Sequence, residues 1–331
     1  MRLLKRKERA PADLRAEIER LAASNRARPD RGTERRLLAL RHREGIRLLD
    51  AGAGEPAHPV PADDRLPESD TLPEIAAADV TPELLRAGIL RDGCLLVRGL
   101  VGRDAALGLA HGIDRSFAER EVGEGGGAAE PGYYEEFQPD PRFPPIAVRE
   151  WVKMGGGVLA ADSPLLSFEM LELFRAAGLP QLIEGYLGEP ALMSVDKTTL
   201  RKADPSVAGA WHQDGKFMGD VRSINLWLSL SRCGDEAPSL DIVPRRLEHI
   251  VSTATDEAVL SYQVSQQKAE EAAGDKPIVR PIFEPGDALF FDELFLHQTG
   301  SDPSMPNPRF AIESWFFGGS AFPAEYAPLV V

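Results

Sequence analysis

Hydrophobic residues recur at helical spacing through the first half of the chain. Leu14, Ile18 and Leu21 lie three or four residues apart and predict a helix over residues 12–23. The same spacing predicts a second helix over residues 33–49. Further helices are predicted over residues 81–90, 103–119, 164–177 and 180–187.

After residue 191 the pattern changes to short segments in which apolar and polar residues alternate. Residues 224–231, INLWLSLS, are an example, and this period of two is typical of a half-buried strand. The predicted strands are 192–202, 208–213, 222–231, 239–244, 279–283, 287–293 and 309–317. Helices followed by many short strands predict a mainly β fold with flanking helices. A double-stranded β-helix, or jelly roll, fits best because its two sheets close most of their edges.

Breaks in this pattern divide the chain into three parts. Residues 1–50 are predicted to form a helical N-terminal extension, and residues 51–75 are dense in proline, which is typical of a semi-extended linker. Residues 76–331 then form the jelly-roll domain. Within this domain, residues 122–145 are rich in glycine and proline and are predicted to be either a disordered loop or a mobile lid. As a lid, the loop would bring three aromatic residues to a substrate: Tyr133, Tyr134 and Phe137.

Charge is distributed unevenly along the chain. Residues 1–50 carry 15 Lys and Arg against 8 Asp and Glu, although the whole chain has a formal net charge of −14. The main body is therefore acidic, which argues against a nucleic-acid interface there because phosphate binding requires clustered cations. The basic extension is expected either to be solvated or to contact an acidic partner or another subunit.

Composition also narrows the expected compartment. Cys94 and Cys233 are the only cysteines, too few for a disulfide framework. The charged start of the chain is not followed by the apolar run of a secretory signal, and no stretch approaches the ~20 apolar residues of a membrane span. We therefore expect a protein of the reducing cytoplasm that contacts no membrane.

The candidate chemistry begins at Trp211-His212-Gln213-Asp214-Gly215. Positions i and i+2 of a strand point to the same face, so the imidazole of His212 and the carboxylate of Asp214 are expected to converge. Gln213 is expected to point the other way. His297, 85 residues after His212, can complete the two-histidine, one-carboxylate facial triad that non-haem ferrous oxygenases use.

A cation and a hydroxyl follow this second histidine. Arg309 comes twelve residues after His297, beyond the turn SDPSMPNP, and is expected on the next antiparallel strand beside His297 and Thr299. A guanidinium binds a carboxylate through two parallel hydrogen bonds, and a threonine hydroxyl can add a third. This pair suits the distal carboxylate of 2-oxoglutarate.

Several segments resemble the phytanoyl-CoA dioxygenase family of iron- and 2-oxoglutarate-dependent oxygenases. They are DGCLLVRGL at 92–100, YLGEPALMSVDKTTLRK at 186–202, WHQDG at 211–215, INLWLSLSRCG at 224–234, LDIVPRR at 240–246, PGDALFFDELFLHQTG at 285–300 and PRFAIESWFF at 308–317. The resemblance covers roughly residues 72–320 and implies a jelly-roll fold. One departure is Pro244-Arg245-Arg246, where many relatives carry PGSH.

The resemblance also implies roles for individual residues. His212, Asp214 and His297 would be the ligands of Fe(II). Arg309 and Thr299 would bind 2-oxoglutarate, and the residues expected to line its pocket are Asn225 and Trp227. The implied reaction uses O2 to hydroxylate a small organic substrate, with succinate and CO2 as coproducts. Halogenating relatives lack the carboxylate ligand, so Asp214 favours hydroxylation or a related oxidation.

Other interpretations of the same residues remain open. The triad is also compatible with a cupin-like protein that binds a metal or ligand without turnover, or with a zinc-dependent hydrolase. A structural role for Arg309, through an ion pair with Glu313, is the alternative to cosubstrate binding. Lys197 and Arg201 share one face of a strand and are expected to be solvated, and His42 is expected to be structural.

Overall fold

Helices fill most of the chain before Ala191 in the computed structural model, which describes residues 11–206, 209–219, 221–255, 258 and 260–331. The helices are α1 Pro11–Ala27, α2 Arg31–Ala51, α3 Pro82–Asp92, α4 Arg103–Glu124, α5 Arg149–Met154, α6 Pro164–Ala176, α7 Leu179–Leu187, α8 Gly215–Met218 and α9 Gln266–Ala273. Local sequence accounts for their ends. The Thr81 hydroxyl accepts a hydrogen bond from the Leu84 N–H at the start of α3, and Gly93 ends that helix with a φ of 82°.

The strands form one large sheet and one small sheet. They are β1 Glu74–Ala76, β2 Cys94–Arg98, β3 Gly157–Leu159, β4 Ala191–Ala203, β5 Ser223–Ser229, β6 Ser239–Ile242, β7 Ala288–Phe291, β8 His297–Gly300, β9 Arg309–Gly318 and β10 Pro328–Leu329. The large sheet has the order β1-β2-β7-β5-β9-β4-β10, with β3 also paired to β4. The small sheet pairs β6 with β8, antiparallel.

The large sheet separates two hydrophobic cores. Alternation along β5 sends Ile224 and Leu226 into a core shared with the helices, which we call the helix-side core. Trp227 points the other way, into a core shared with Leu240 and Ile242 of the small sheet. This second core, the inter-sheet core, shows that the two sheets face each other.

The N-terminal helices pack against this body. Leu14 and Ile18 of α1 share a buried cluster with Leu37 and Leu40 of α2. The imidazole of His42 is also buried, and both of its nitrogens are used. Nδ1 lies 2.8 Å from the carbonyl oxygen of Pro328, and Nε2 accepts a hydrogen bond of 3.0 Å from the backbone N–H of Asp140. His42 is thus structural, as predicted.

The observed fold is mixed and sheet-rich, with flanking helices, whereas the sequence predicted a mainly β fold. The strands predicted over 192–202, 222–231 and 309–317 are present as β4, β5 and β9. In contrast, those predicted over 208–213 and 279–283 are reduced to isolated paired residues, and residue 208 itself lies outside the described residues. The predicted boundaries at residues 50 and 75 stay predictions.

Candidate metal centre

The segment around His212 is held by its middle residue. Gln213 is buried, and its amide nitrogen donates hydrogen bonds to the carbonyl oxygens of His249 (3.1 Å) and Leu294 (2.6 Å). Its side-chain oxygen accepts one from the Val251 N–H at 2.7 Å. Because Gln213 is fixed on one face, His212 and Asp214 are directed to the other, as the sequence predicted.

Backbone hydrogen bonds then bring the second histidine to the first. The N–H of His212 donates to the carbonyl of His297 at 2.9 Å, and the N–H of His297 donates back at 3.1 Å. This reciprocal pair is an isolated antiparallel bridge beside β8. It places the two imidazole ring centroids 4.5 Å apart.

Each imidazole presents the same nitrogen to the space between them. His212 Nδ1 lies 2.7 Å from the carbonyl oxygen of Ala210, and His297 Nδ1 lies 3.1 Å from that of Phe295. A carbonyl oxygen only accepts, so Nδ1 carries a proton in both rings, and in the neutral form of each ring the lone pair is on Nε2. Both histidines are therefore oriented and in the tautomer that binds a metal through Nε2.

The carboxylate of Asp214 completes the group. Its Oδ2 lies 3.8 Å from His297 Nε2, and the ligand atoms of all three residues lie within 4.8 Å of one another. Burial, and then the neighbouring His212, lower the pKa of His297 to about 4, which keeps this imidazole neutral at physiological pH. The rings of Phe291 and Phe295 pack against His297, with centroids 4.9 and 5.9 Å away.

Arg309 reaches this region from the opposite sheet. The prediction that its strand lies beside that of His297 is wrong, because β9 pairs with β4 and β5 whereas β8 pairs with β6. Arg309 is 2% exposed, and its Nη1 donates to the carbonyl of Ser239 on β6 at 3.2 Å. Ser239 is paired with Gly300, so the guanidinium lies at the end of β8 that carries Thr299.

No carboxylate within the described residues forms an ion pair with this buried guanidinium. Glu313, the alternative partner considered from the sequence, instead accepts from Arg201 Nη2 at 2.9 Å and from Thr199 at 3.2 Å. Arg201 is thus paired and not simply solvated. Burial lowers the pKa of Arg309, while the same Arg201, together with Arg309, holds the pKa of Glu313 down at about 2.

Unsatisfied polar atoms collect at the residues predicted to bind a cosubstrate. Asn225 Oδ1, Trp227 Nε1 and Arg309 Nε are buried and have no hydrogen-bond partner within the described chain. All three project from the large sheet towards the inter-sheet core, and the Arg309 guanidinium lies 5.2 Å from the centroid of Trp227. Buried polar atoms without partners are rare, and such a group indicates a place for a polar ligand.

Two features of the site differ from the sequence prediction or were missed. The segment 122–145 is not a lid, because Tyr133 and Phe137 pack against the helix-side core, on the other face of the sheet. Aromatic residues near His212 come instead from Phe217 on α8 and from Tyr262, with ring centroids 6.1 and 6.3 Å from the imidazole. Tyr262 belongs to a segment without periodicity, so no sequence signal marked it.

Comparisons with known proteins show that this chain shares its fold with a solved structure. No known family model matches the chain, and no curated protein matches it significantly. The chain is similar to the solved structure of EctD from S. alaskensis with 2-oxoglutarate and 5-hydroxyectoine. The two are 16% identical over 81% of this chain and 84% of that one, with a TM-score of 0.51.

Two further solved structures show weaker likeness. The epimerase SnoN, in complex with Fe3+, alpha ketoglutarate and nogalamycin RO, is 18% identical over 72% of this chain and 83% of that one, with a TM-score of 0.45. AviO1 from Streptomyces viridochromogenes Tue57 is 19% identical over 72% of this chain and 96% of that one, with a TM-score of 0.42. Among the described residues, no helix is long and apolar enough to cross a membrane.

Proposed function

We propose that this chain is an Fe(II)- and 2-oxoglutarate-dependent dioxygenase that hydroxylates a small organic substrate. The observation that carries the proposal is the set His212, Asp214 and His297, which offers two Nε2 atoms and a carboxylate. Opposite this set lies the buried Arg309, a cation that has no carboxylate partner among the residues the structure describes. We further propose a jelly-roll fold, membership of the phytanoyl-CoA dioxygenase family and a place in the cytoplasm. The candidate substrates are acyl thioesters, amino-acid derivatives and natural-product intermediates.

The triad fits Fe(II) by donor type and arrangement. Two neutral imidazoles and one carboxylate leave the remaining coordination positions of the metal free for other ligands. The carbonyls of Ala210 and Phe295 hold each imidazole through its Nδ1–H, which is how ligating histidines are usually oriented. When bound, Fe(II) with 2-oxoglutarate and O2 supplies the oxidising power that turns C–H into C–OH and releases succinate and CO2.

The unsatisfied atoms fit the other end of 2-oxoglutarate. Arg309 would bind the distal carboxylate, and the Thr299 hydroxyl, two residues beyond His297, would donate a further hydrogen bond. Trp227 Nε1 is a second unpartnered donor on the same face, and Asn225 offers an amide. A ligand that forms hydrogen bonds with these buried atoms offsets the free-energy cost of leaving them without partners.

The protein's own contribution is placement and exclusion of water. Phe291 and Phe295 cover the ring of His297, and Gln213 holds the segment that carries His212 and Asp214. Rigid, dry surroundings favour a defined approach of the substrate and limit side reactions. The solved structure of EctD, which shares the fold, holds 2-oxoglutarate, in keeping with this proposal.

Arg309 also separates this proposal from its alternatives. A protein that merely binds a metal, or a zinc hydrolase, gains nothing from a guanidinium buried without a carboxylate opposite the ligands, because burying an unpaired cation is costly. The proposed function therefore explains why Arg309 is buried, whereas the alternatives do not.

The test is anaerobic addition of Fe(II) and 2-oxoglutarate to the purified protein. We expect the weak visible absorption band of the iron–2-oxoglutarate chelate, and we expect it to be lost in Arg309→Met but kept in Arg103→Met, an exposed arginine paired with Glu284. A screen for succinate release against a metabolite library then identifies the substrate. Absence of the band in a folded protein that binds Fe(II) would overturn the proposal.

A further inference from the structure

An aromatic group flanks the metal ligands on the side of His212 and surrounds a lysine. The ammonium of Lys197 lies 5.1 Å from the ring centroid of Phe217 and 6.0 Å from that of Tyr326. Phe217 in turn packs against Tyr262 at 4.9 Å, and both rings lie near the imidazole of His212. We call Phe217, Tyr262 and Tyr326 the aromatic rim.

Strand β4 directs Lys197 towards this rim. The pairing of β4 with β9 shifts register between Met193 and Thr198, and Lys197 lies within that irregular stretch. It is two residues from Thr199, whose hydroxyl bonds to Glu313 on the face towards the inter-sheet core. Tyr326 packs against the inter-sheet core, so the contact with its ring places Lys197 on the face of the sheet that is turned to the metal ligands.

Lys197 is half-buried, and none of the carboxylates that the structure describes lies within ion-pair distance of it. The lysine Lys202 on the same strand gives a contrast. It also lies near an aromatic ring, that of Phe310 at 5.9 Å, but its ammonium is paired with Asp114. A cation–π contact offsets only part of the cost of desolvating an ammonium, so Lys197 retains capacity for an anion.

The position of Lys197 separates it from the proposed cosubstrate site. Arg309 is paired in register with Ala203, six residues further along β4 than Lys197. At a rise of about 3.3 Å per residue, the Cα atoms of Lys197 and Ala203 lie at most roughly 20 Å apart along the strand. The two cations also have different neighbours, because Lys197 lies against Phe217 and Tyr326, whereas Arg309 lies against Trp227 and bonds to Ser239. Lys197 is therefore available to a different ligand.

We propose that the substrate carries an oxyanion, a carboxylate or a phosphate, that binds Lys197, while its apolar part lies against the aromatic rim. This places the remainder of the substrate next to His212 and Asp214, on the exposed side of the metal centre. The inference rests on the proposed function, since it assigns the substrate class of that same site. A charge-assisted hydrogen bond to an ammonium selects the anion over a neutral molecule of the same shape.

The test uses matched pairs of probes and three variants. Aryl and alkyl carboxylates are compared with their primary amides, and phosphate monoesters with the parent alcohols, by calorimetry under anaerobic conditions with Fe(II) and saturating 2-oxoglutarate. The variants are Lys197→Met, which removes the charge, Lys197→Arg, which keeps it, and Lys202→Met as the matched control. Thermal unfolding confirms that each variant is folded.

We expect the anionic member of at least one pair to bind about tenfold more tightly than its neutral counterpart, with a preference that weakens as salt is added. Lys197→Met should abolish that preference, whereas Lys197→Arg and Lys202→Met should retain it. The carboxylate and phosphate arms show which oxyanion is preferred. The proposal is overturned if no pair favours the anion, or if the preference survives in Lys197→Met.

The same measurement without metal separates the two proposals. If the iron–2-oxoglutarate chelate does not form but the anion preference depends on Lys197, the proposed function fails and the anion site stands. If the chelate forms and Lys197→Met leaves the anion preference unchanged, the proposed function stands and the anion site fails.

Discussion

Buried polar groups are hydrogen-bonded to different extents on the two faces of the large sheet. On the helix side, Arg149 donates to both oxygens of Asp162 and to the carbonyls of Phe137 and Ile146. On the metal side, Arg309 is more deeply buried. Within the described part of the chain it has one hydrogen bond, to a carbonyl, and an Nε without a partner. Removing one partner of a saturated buried charge is costly, whereas an unsaturated buried charge indicates a place for a ligand.

The histidines repeat this contrast. His42, on the helix side, uses both ring nitrogens within the protein, whereas His212 and His297 each use only Nδ1. The contrast has exceptions, since Arg120 and Ser314 on the helix side also carry an unpaired atom. The metal side differs in collecting such atoms around one set of metal-ligating residues.

The largest effect is expected from the triad. Asp214→Ala removes the carboxylate of the proposed ligand set, so Fe(II) binding should weaken by at least about a hundredfold and hydroxylation should be abolished. Anaerobic metal titration and coupled measurement of succinate and product check this. Asp235→Ala, a surface carboxylate paired with Arg232, is the control. Wild-type product formation by Asp214→Ala would refute the ligand assignment.

On the helix side, we expect a substitution to lower stability and to leave metal affinity unchanged. Asp162→Ala leaves Arg149 without its carboxylate partner, and we expect a loss of about 3 kcal/mol in unfolding free energy, because the pair is largely buried. The metal affinity of the folded fraction should not change. Urea unfolding followed by metal titration measures both quantities, and a loss of metal affinity without a loss of stability would contradict the comparison.

Arg309→Met tests whether the unsaturated charge serves a ligand. Affinity for 2-oxoglutarate should fall about a hundredfold, equivalent to about 2.7 kcal/mol. The unfolding free energy should stay constant or rise by about 1 kcal/mol, since a buried cation without a carboxylate partner is removed. Anaerobic titration and urea unfolding are the measurements. A substantial loss of stability would instead assign Arg309 a structural role.

The smallest effect concerns a carboxyl group on the metal side. Burial, and then the neighbouring carboxylate of Asp292, raise the pKa of Glu293 to about 7. The other groups that face this pair are Arg246, which donates a hydrogen bond to Asp292, and Tyr186. A raised pKa in the folded state means that stability is fully present below pH ~4.5 and is lost as pH rises through about 7.

Replacing Glu293 removes this dependence. Glu293→Gln should raise the unfolding free energy at pH 8.5 by about 2 kcal/mol relative to wild type, and should have little effect at pH 4. Urea unfolding across this pH range measures the difference. Glu284→Gln, an exposed carboxyl, is the control. Parallel pH profiles for wild type and Glu293→Gln would contradict the prediction.

The convergence of His212 and Asp214 was predictable because short-range rules determine the directions of both side chains. Alternation along an extended segment sends His212 and Asp214 to one face, and no tertiary information is needed for that step. Helix starts were equally local, as at Thr81, where the cap and the following proline both lie in the sequence. Strands β4, β5 and β9 followed from their period of two.

The remainder depends on pairing between distant strands. The spacing of His297 and Arg309 indicates a turn, but not that the chain crosses to the other sheet within it. Tyr262 and Phe217 come together only through tertiary packing. The glycine-rich segment 122–145 was predicted as a loop or lid. The backbone N–H of Glu135 donates to the carbonyl oxygen of Asp162, and that of Phe137 donates to the Asp162 carboxylate, which holds the segment against the helix side.

The reciprocal backbone pair between His212 and His297 has a practical consequence. The spacing of the two imidazoles is set by main-chain hydrogen bonding and needs no bound ion. Dialysis against a strong chelator should thus yield a fully folded apoprotein rather than a collapsed one. With the proposed metal site in place, we expect divalent ions to exchange there, so that a cobalt- or manganese-substituted form becomes accessible for spectroscopy without refolding.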